Sequence, residues 1–188
     1  MTAMKLTEQS ESEIRAVIDT YWASYTNGDV DAMIPLLDDD YTQVGSAEGE
    51  VFSNKGDAVQ FLFDTIHEVA GNAELRNRIT TIEPFSDLVL VSDLCDLYVI
   101  SGDEWIFYGK FRSSSFLRMD EEDGVWRMVH QHSSIPDLRT AEGGNLAIEQ
   151  LADENRKLER QVAERTAELQ TAKQEVEAAL ADLKVTQA

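Results

Sequence analysis

An α+β head followed by one long coiled-coil helix is the architecture this sequence predicts, and three observations predict it. Apolar residues recur with helical period over roughly the first seventy residues and with strand period after them. Clusters of Gly, Asp, Glu and Ser then divide the second half into consecutive strands. After Asn145 there is neither Pro nor Gly, and apolar residues fall at spacings of three and four. Helices first and a meander afterwards imply a curved antiparallel sheet packed on three N-terminal helices.

The elements follow in order. Ser10 or Ser12 can cap a first helix, with Glu13 in its first turn. Ile14, Val17, Ile18, Tyr21, Trp22 and Tyr25 then make one apolar face. Asn27-Gly28-Asp29 ends that helix, because Gly accepts the left-handed conformation at its end. A short second helix runs through Ala32, Met33, Leu36 and Leu37, and Tyr41 to Val44 reads as a strand. Asn54 caps a third helix through Val59, Phe61, Leu62 and Ile66, ending at Gly71. Strands are expected at Ile79–Ile82, Leu88–Ile100, Trp105–Leu117 and Val125–His132, with turns at residues 84–87, 101–103 and 120–124. The head spans residues 1–137, a linker 138–145 and a helix 146–188.

The C-terminal segment carries a heptad. With Ile148 at position a, the a positions are Ile148, Asn155, Val162, Leu169, Val176 and Leu183. Leu151, Leu158, Arg165, Ala172 and Ala179 fall at d. An Asn pair at one a position favours a parallel two-stranded register, and Glu168 at g can face Lys173 at e of a partner helix. Fully helical, residues 145–188 reach roughly 65 Å, far more than a small domain needs for packing. A parallel homodimer is therefore expected. The weak d positions Arg165, Ala172 and Ala179 suit a coil that shifts between two packings.

Composition bounds the partners. The net charge is −20, and residues 1–144 carry 27 acids against 10 bases. Such a head repels phosphate backbones and anionic lipid, so neither nucleic acid nor membrane is expected as a partner. With no apolar run of bilayer length and no signal-peptide core at the N-terminus, a cytoplasmic location is expected. The single Cys95 cannot form an internal disulfide and reads as a buried thiol.

Two resemblances follow from strings of residues. Leu158 to Leu169, LERQVAERTAEL, and the tail from Ala179 to Ala188 resemble the linker helix of bacterial sensor histidine kinases and its entry into the phosphoacceptor domain. Related linkers precede nucleotide cyclases and diguanylate cyclases. The resemblance implies an input region of a longer signalling protein. In the head, the Asn-Gly-Asp turn, the meander and the closing Trp126-Arg127-Met128-Val129-His130-Gln131-His132-Ser133-Ser134 resemble the nuclear transport factor 2-like superfamily, nearest its SnoaL-like branch. The His-x-His-x-Ser ending is similar to that of the calcium/calmodulin-dependent kinase II association domain. This resemblance implies a cone-shaped sheet around an internal pocket; in a ligand-sensing dimer, two heads would pair through their sheets.

Against ketosteroid isomerases of that superfamily, the oxyanion-donating Tyr falls on Tyr21. The general base falls near Gly45 and the second donor near Ser115, so the base is missing and no catalytic residue is assigned. The candidate pocket residues are Tyr21, Trp22, Tyr25, Arg112, Trp126, His130 and His132. By alternation His130 and His132 share a strand face with Met128 and Trp126. They are core histidines bonded to backbone, or pocket residues touching a ligand. A metal would need a third ligand from His67 or an unplaced carboxylate, so no metal and no cofactor is expected. Arg112 is a candidate anchor for a ligand carboxylate. The acidic runs 38–40 and 120–123 lack the spacing of an EF-hand and read as solvated turns.

Three functions compete: a non-catalytic sensor of an unknown small ligand, a SnoaL-like isomerase or cyclase using Tyr21 and His132 on a small hydrophobic carbonyl compound, and a pure scaffold with a filled interior.

Overall fold

The computed structural model describes residues 5–136 and 148–186, with side chains of the last helix described at 151–174, 176 and 177. It divides into two compact units, Met1–Pro136 and Asp137–Ala188. The expected linker 138–145, and the side chains of Ile148 and Leu183, lie outside the described residues.

In the first unit α1 (Glu8–Asn27) starts at Thr7, not at Ser10 or Ser12: the Thr7 hydroxyl accepts the Ser10 N–H at 3.1 Å. That earlier cap places Glu8 and Glu11 in the first turn, where the helix dipole favours negative charge. The helix stops at Gly28, whose φ is +82° and whose N–H bonds back to the carbonyls of Ser24 and Tyr25. A Cβ there would stand 2.6 Å from the Ala70 Cβ, so both conformation and contact require glycine. One turn of helix, α2 (Val30–Met33), capped by the Asp29 carboxylate, and a 3-10 turn at Ile34–Leu36 lead into β1 (Leu37–Val44). β2 (Val51–Phe52) folds back on β1, and α3 (Lys55–Val69) begins at the Asn54 cap. Four long strands complete the head: β3 (Ala73–Phe85), β4 (Leu88–Ser101), β5 (Glu104–Met119) and β6 (Trp126–Ser134).

Two parts of the expected architecture are corrected. The sheet, of order β2-β1-β6-β5-β4-β3, is mixed: β1 runs parallel to β6 while the remaining pairs are antiparallel. The first and last strands are joined only through residues 45–125, which include β2 to β5 and α3, so no hairpin forces them antiparallel. Nor do three comparable helices precede the sheet. A helix of 20 residues and one of four come first, and the 15-residue α3 enters only after β1 and β2. The cone-shaped antiparallel sheet on three N-terminal helices is therefore replaced by a six-stranded mixed sheet with one long and two shorter helices.

β3 also outruns the expected Ile79–Ile82 at both ends. It passes through Pro84, which lacks an N–H and is tolerated on an edge strand, where only one side has a ladder partner. Ile14, Ile18, Tyr21 and Trp22 of α1 pack with Leu62 of α3 against Val89, Val91, Leu117 and Met128 of the sheet, in one apolar core. At about 1.5–3 kcal/mol per fully buried large apolar side chain, this core is the main term holding the head together.

The second unit is a single helix, α4 (Ile148–Thr186). Its apolar seam faces solvent: Leu158 is 57% exposed, Val162 64%, Leu169 71% and Val176 67%. Its described ion pairs, Arg156–Asp153, Arg165–Glu168 and Lys173–Glu177, are all within the helix. Among the described residues no helix is long and apolar enough to cross a membrane.

Candidate functional site

The space between α1 and the concave face of the sheet is where the head can act chemically. α1 turns Tyr21, Trp22 and Tyr25 toward the strands, and the strands answer with polar groups. The Tyr21 hydroxyl donates to Gln131 Oε1 at 3.0 Å, and the Tyr41 hydroxyl donates to Gln43 Oε1 at 3.1 Å. Gln43 and Gln131 are register partners on the parallel pair β1–β6. The Gln131 amide reaches Ser115 Oγ only at 3.4 Å. Burial pushes the Tyr21 phenol far above its ordinary range, although its hydrogen bonds with Tyr41 and Gln131 oppose the shift, so it remains a neutral donor. Tyr41 is driven up in the same way.

Beside this pair, the buried Asp93 carboxylate fastens α1 to the sheet. It accepts Trp22 Nε1 at 2.9 Å and the Thr80 hydroxyl at 2.5 Å, with Arg78 Nε 3.9 Å away. Charge-assisted acceptance from three sides keeps a carboxylate inside an apolar layer.

These side chains leave a cavity of about 60 Å³, walled by Tyr21, Trp22, Tyr25, Phe61 and Phe111 and floored by Gln43, Gln131 and Ser133. Its mouth is formed by Gly45, Ser46 and Glu50. The Glu50 carboxylate folds across the loop and accepts the Ala47 N–H at 3.1 Å. A space of that size holds about two waters, against several hundred Å³ in an ordinary ligand pocket. Two larger hollows are open grooves. One of about 550 Å³ lies between α1 and β3 beside Arg76, Arg78 and Trp105; the other, of about 1070 Å³, is rimmed by Asp38–Asp40 and residues 120–123. In the second, Arg118 grips Asp38 at 2.6 Å and Asp40 at 2.9 Å.

Of the expected pocket residues, Tyr21, Trp22 and Tyr25 meet at the cavity. Trp126 is buried on the inner face but does not line the cavity, and its indole N–H has no partner among the described residues. His130 and His132 do not join it. Phe116 pairs with His130 but Leu117 pairs with Met128, so Val129 is an extra residue, a β-bulge. The bulge reverses the alternation: Trp126 and Met128 point inward before it, Gln131 and Ser133 after it. The histidines therefore lie on the outer face, where the Thr42 hydroxyl and His130 Nδ1 are hydrogen-bonded at 2.8 Å. Arg112 is outside as well, exposed between the partly buried Phe111 and the buried Ser113. Sequence reasoning missed Gln43, Gln131, Ser133, Glu50 and Asp93. The polar run Ser113-Ser114-Ser115 inside an apolar strand was the one available signal of a polar interior. Among the described residues no group of three or more His, Cys, Asp or Glu is placed to hold a metal ion.

Residues 14–137 match the sequence profile of the SnoaL-like domain, and the chain belongs to that family. Among solved structures, it is similar to a domain of unknown function with a cystatin-like fold from Nostoc punctiforme (15% identity, TM-score 0.62, covering 88% of this chain and 99% of that one). A nuclear-transport-factor-2-like protein of unknown function from Pseudomonas putida is 23% identical, with TM-score 0.60 and coverage of 76% and 99%. A protein named as a ketosteroid isomerase, from Shewanella frigidimarina, is 13% identical, with TM-score 0.53 and coverage of 63% and 92%. At these identities the likeness is one of fold. No curated protein matches the chain.

Proposed function

We propose that this chain is a dimerising input module of a signal-transduction protein, in which paired SnoaL-like heads are joined to a parallel two-stranded coiled coil. The exposed seam of α4 carries this reading. Four large apolar side chains at a and d spacing, more than half exposed over nearly twenty residues, are costly on a lone helix and are buried by a second copy in register. The string Leu158 to Leu169 supports an output of the sensor histidine kinase class, and nucleotide or diguanylate cyclases share such linkers. The head pairing uses the outer sheet face, where Ile79, Phe85 and Leu94 are exposed.

The filled interior supports a scaffold more than a pocket sensor: a ligand larger than a few atoms enters only after the mouth at Gly45–Glu50 moves. Sedimentation at micromolar concentration is expected to give a dimer, and Leu169→Cys is expected to oxidise to a disulfide-linked dimer, because a parallel coil sets each a residue against its own copy. A monomer, or the absence of cross-linking in a dimer, overturns the parallel coil. A second reading, a SnoaL-like enzyme, is favoured by one observation: Glu50 stands at the mouth of the cavity that contains Tyr21, near the place of the missing base. The Tyr21–His132 acid–base pairing has no such support, since His132 is exposed on the opposite face. Turnover of a small carbonyl compound, abolished by Glu50→Gln, is the result that favours the enzyme.

A further inference from the structure

The outer sheet face carries an unusual charge pattern. Three rows of its ladder run Ile79–Leu94–Arg112, Thr81–Ser92–Ser114 and Glu83–Leu90–Phe116. Of the arginines on strands, Arg76, Arg78, Arg118 and Arg127 each pair with a carboxylate. Arg112 alone pairs with none among the described residues, in a head whose residues 1–137 carry 26 acids against 9 bases. Glu83 on the same face is exposed and also lacks a basic partner among the described residues. The two stand two strands and four residues apart, roughly 17 Å at ordinary sheet spacings, too far to meet within one copy.

We infer that Arg112 of one head pairs with Glu83 of a second copy of this chain, and that this reciprocal pair fixes how the heads dock. The inference rests on the head pairing proposed above. Ser92 lies midway between the two charges in the ladder. A two-fold axis in the interface plane, through Ser92 and perpendicular to the line joining them, exchanges their positions. Each arginine then covers the other copy's glutamate, and the isologous contact supplies two pairs per dimer. The small side chains of Thr81, Ser92 and Ser114 at the centre let the sheets approach. Leu94 and Ile79 beside Arg112, and Leu90 and Phe116 beside Glu83, keep water from the pairs and strengthen them. The strands of the two sheets cross steeply in this arrangement, as in orthogonal sheet packing.

The test uses the full chain with Leu158→Glu and Leu169→Glu, which removes the coil seam and leaves association to the heads. Sedimentation velocity follows this parent, Arg112→Glu, Glu83→Arg and the double reversal, with thermal melting to confirm folding. The parent is expected to dimerise, each single reversal to weaken the dimer about tenfold or more, and the double reversal to recover most of that loss. A dimeric parent whose reversals change nothing, or whose double reversal fails to recover, overturns the Arg112–Glu83 pair while head pairing stands. A parent that is monomeric at the highest soluble concentration overturns head pairing itself.

Discussion

Gly28→Ala tests how the head's first helix is set in place. Gly28 has φ +82°, and a Cβ on it would stand 2.6 Å from the Ala70 Cβ, the residue that follows α3. The left-handed conformation costs an alanine about 1–2 kcal/mol. Forcing apart two backbone-mounted carbons adds about 1–3 kcal/mol, since neither end is a flexible side-chain tip. A total loss of about 2–5 kcal/mol is expected, a large fraction of the stability of a domain this size. Trp22, Trp105 and Trp126 are the only tryptophans and all lie in the head, so fluorescence during urea unfolding reports on the head alone. Adding Ala70→Gly removes the overlap but not the strained φ, so the double variant is expected to show favourable coupling of about 1 kcal/mol or more. A loss below about 1 kcal/mol for Gly28→Ala, or no coupling to position 70, refutes the reasoning.

Other expectations follow from the same geometry. Tyr21→Phe leaves Gln131 Oε1 without its donor inside the core and is expected to cost about 1–3 kcal/mol, read as a lower urea midpoint at unchanged slope. Burial and the neighbouring His132 hold the His130 imidazole below its ordinary value. The unfolded chain then binds the proton more readily, so head stability falls as pH drops below about 6.5 and levels off below the folded value; His130→Gln removes that step from the pH profile. Burial would raise Asp38, but its bonds from Arg118 outweigh that and hold the carboxyl low, so its contribution is present at neutral pH and is lost only as pH falls below about 4. Burial pushes the Cys95 thiol up to about 11, so it is expected to react with disulfide reagents at the rate of unfolding; fast reaction in the folded protein contradicts that placement. Asn155→Ile is expected to raise the coil's melting temperature while admitting higher oligomers, seen by sedimentation.

Elements whose signals are local were legible in the sequence. The Asn54 cap, the Gly28 stop and the β4–β5 turn at Gly102 each depend on one or two residues with a stated conformational preference. The parallel β1–β6 pair was not, because it joins strands about ninety residues apart and follows from packing rather than from any turn. The Thr7 cap was missed because Ser10 and Ser12 carry the same chemistry three and five residues later, and only the fold chooses among them. At the site, the aromatic residues of α1 were readable from helical period. The strand residues were not, since period-two alternation assigns every side chain downstream of Val129 to the wrong face.

That one inserted residue gives β6 two halves in opposite phase. Upstream of Val129, odd positions see water and even ones the core; downstream the parity is exchanged. Deleting Val129 would leave a regular ladder with Gln131 and Ser133 still inside and both imidazoles outside, whereas keeping Val129 and straightening the bulge would turn the imidazoles into the core. The interior chemistry of this head is thus encoded in where the strand bulges as much as in its letters. A relative with the same residues but no bulge at Val129 would present a different core.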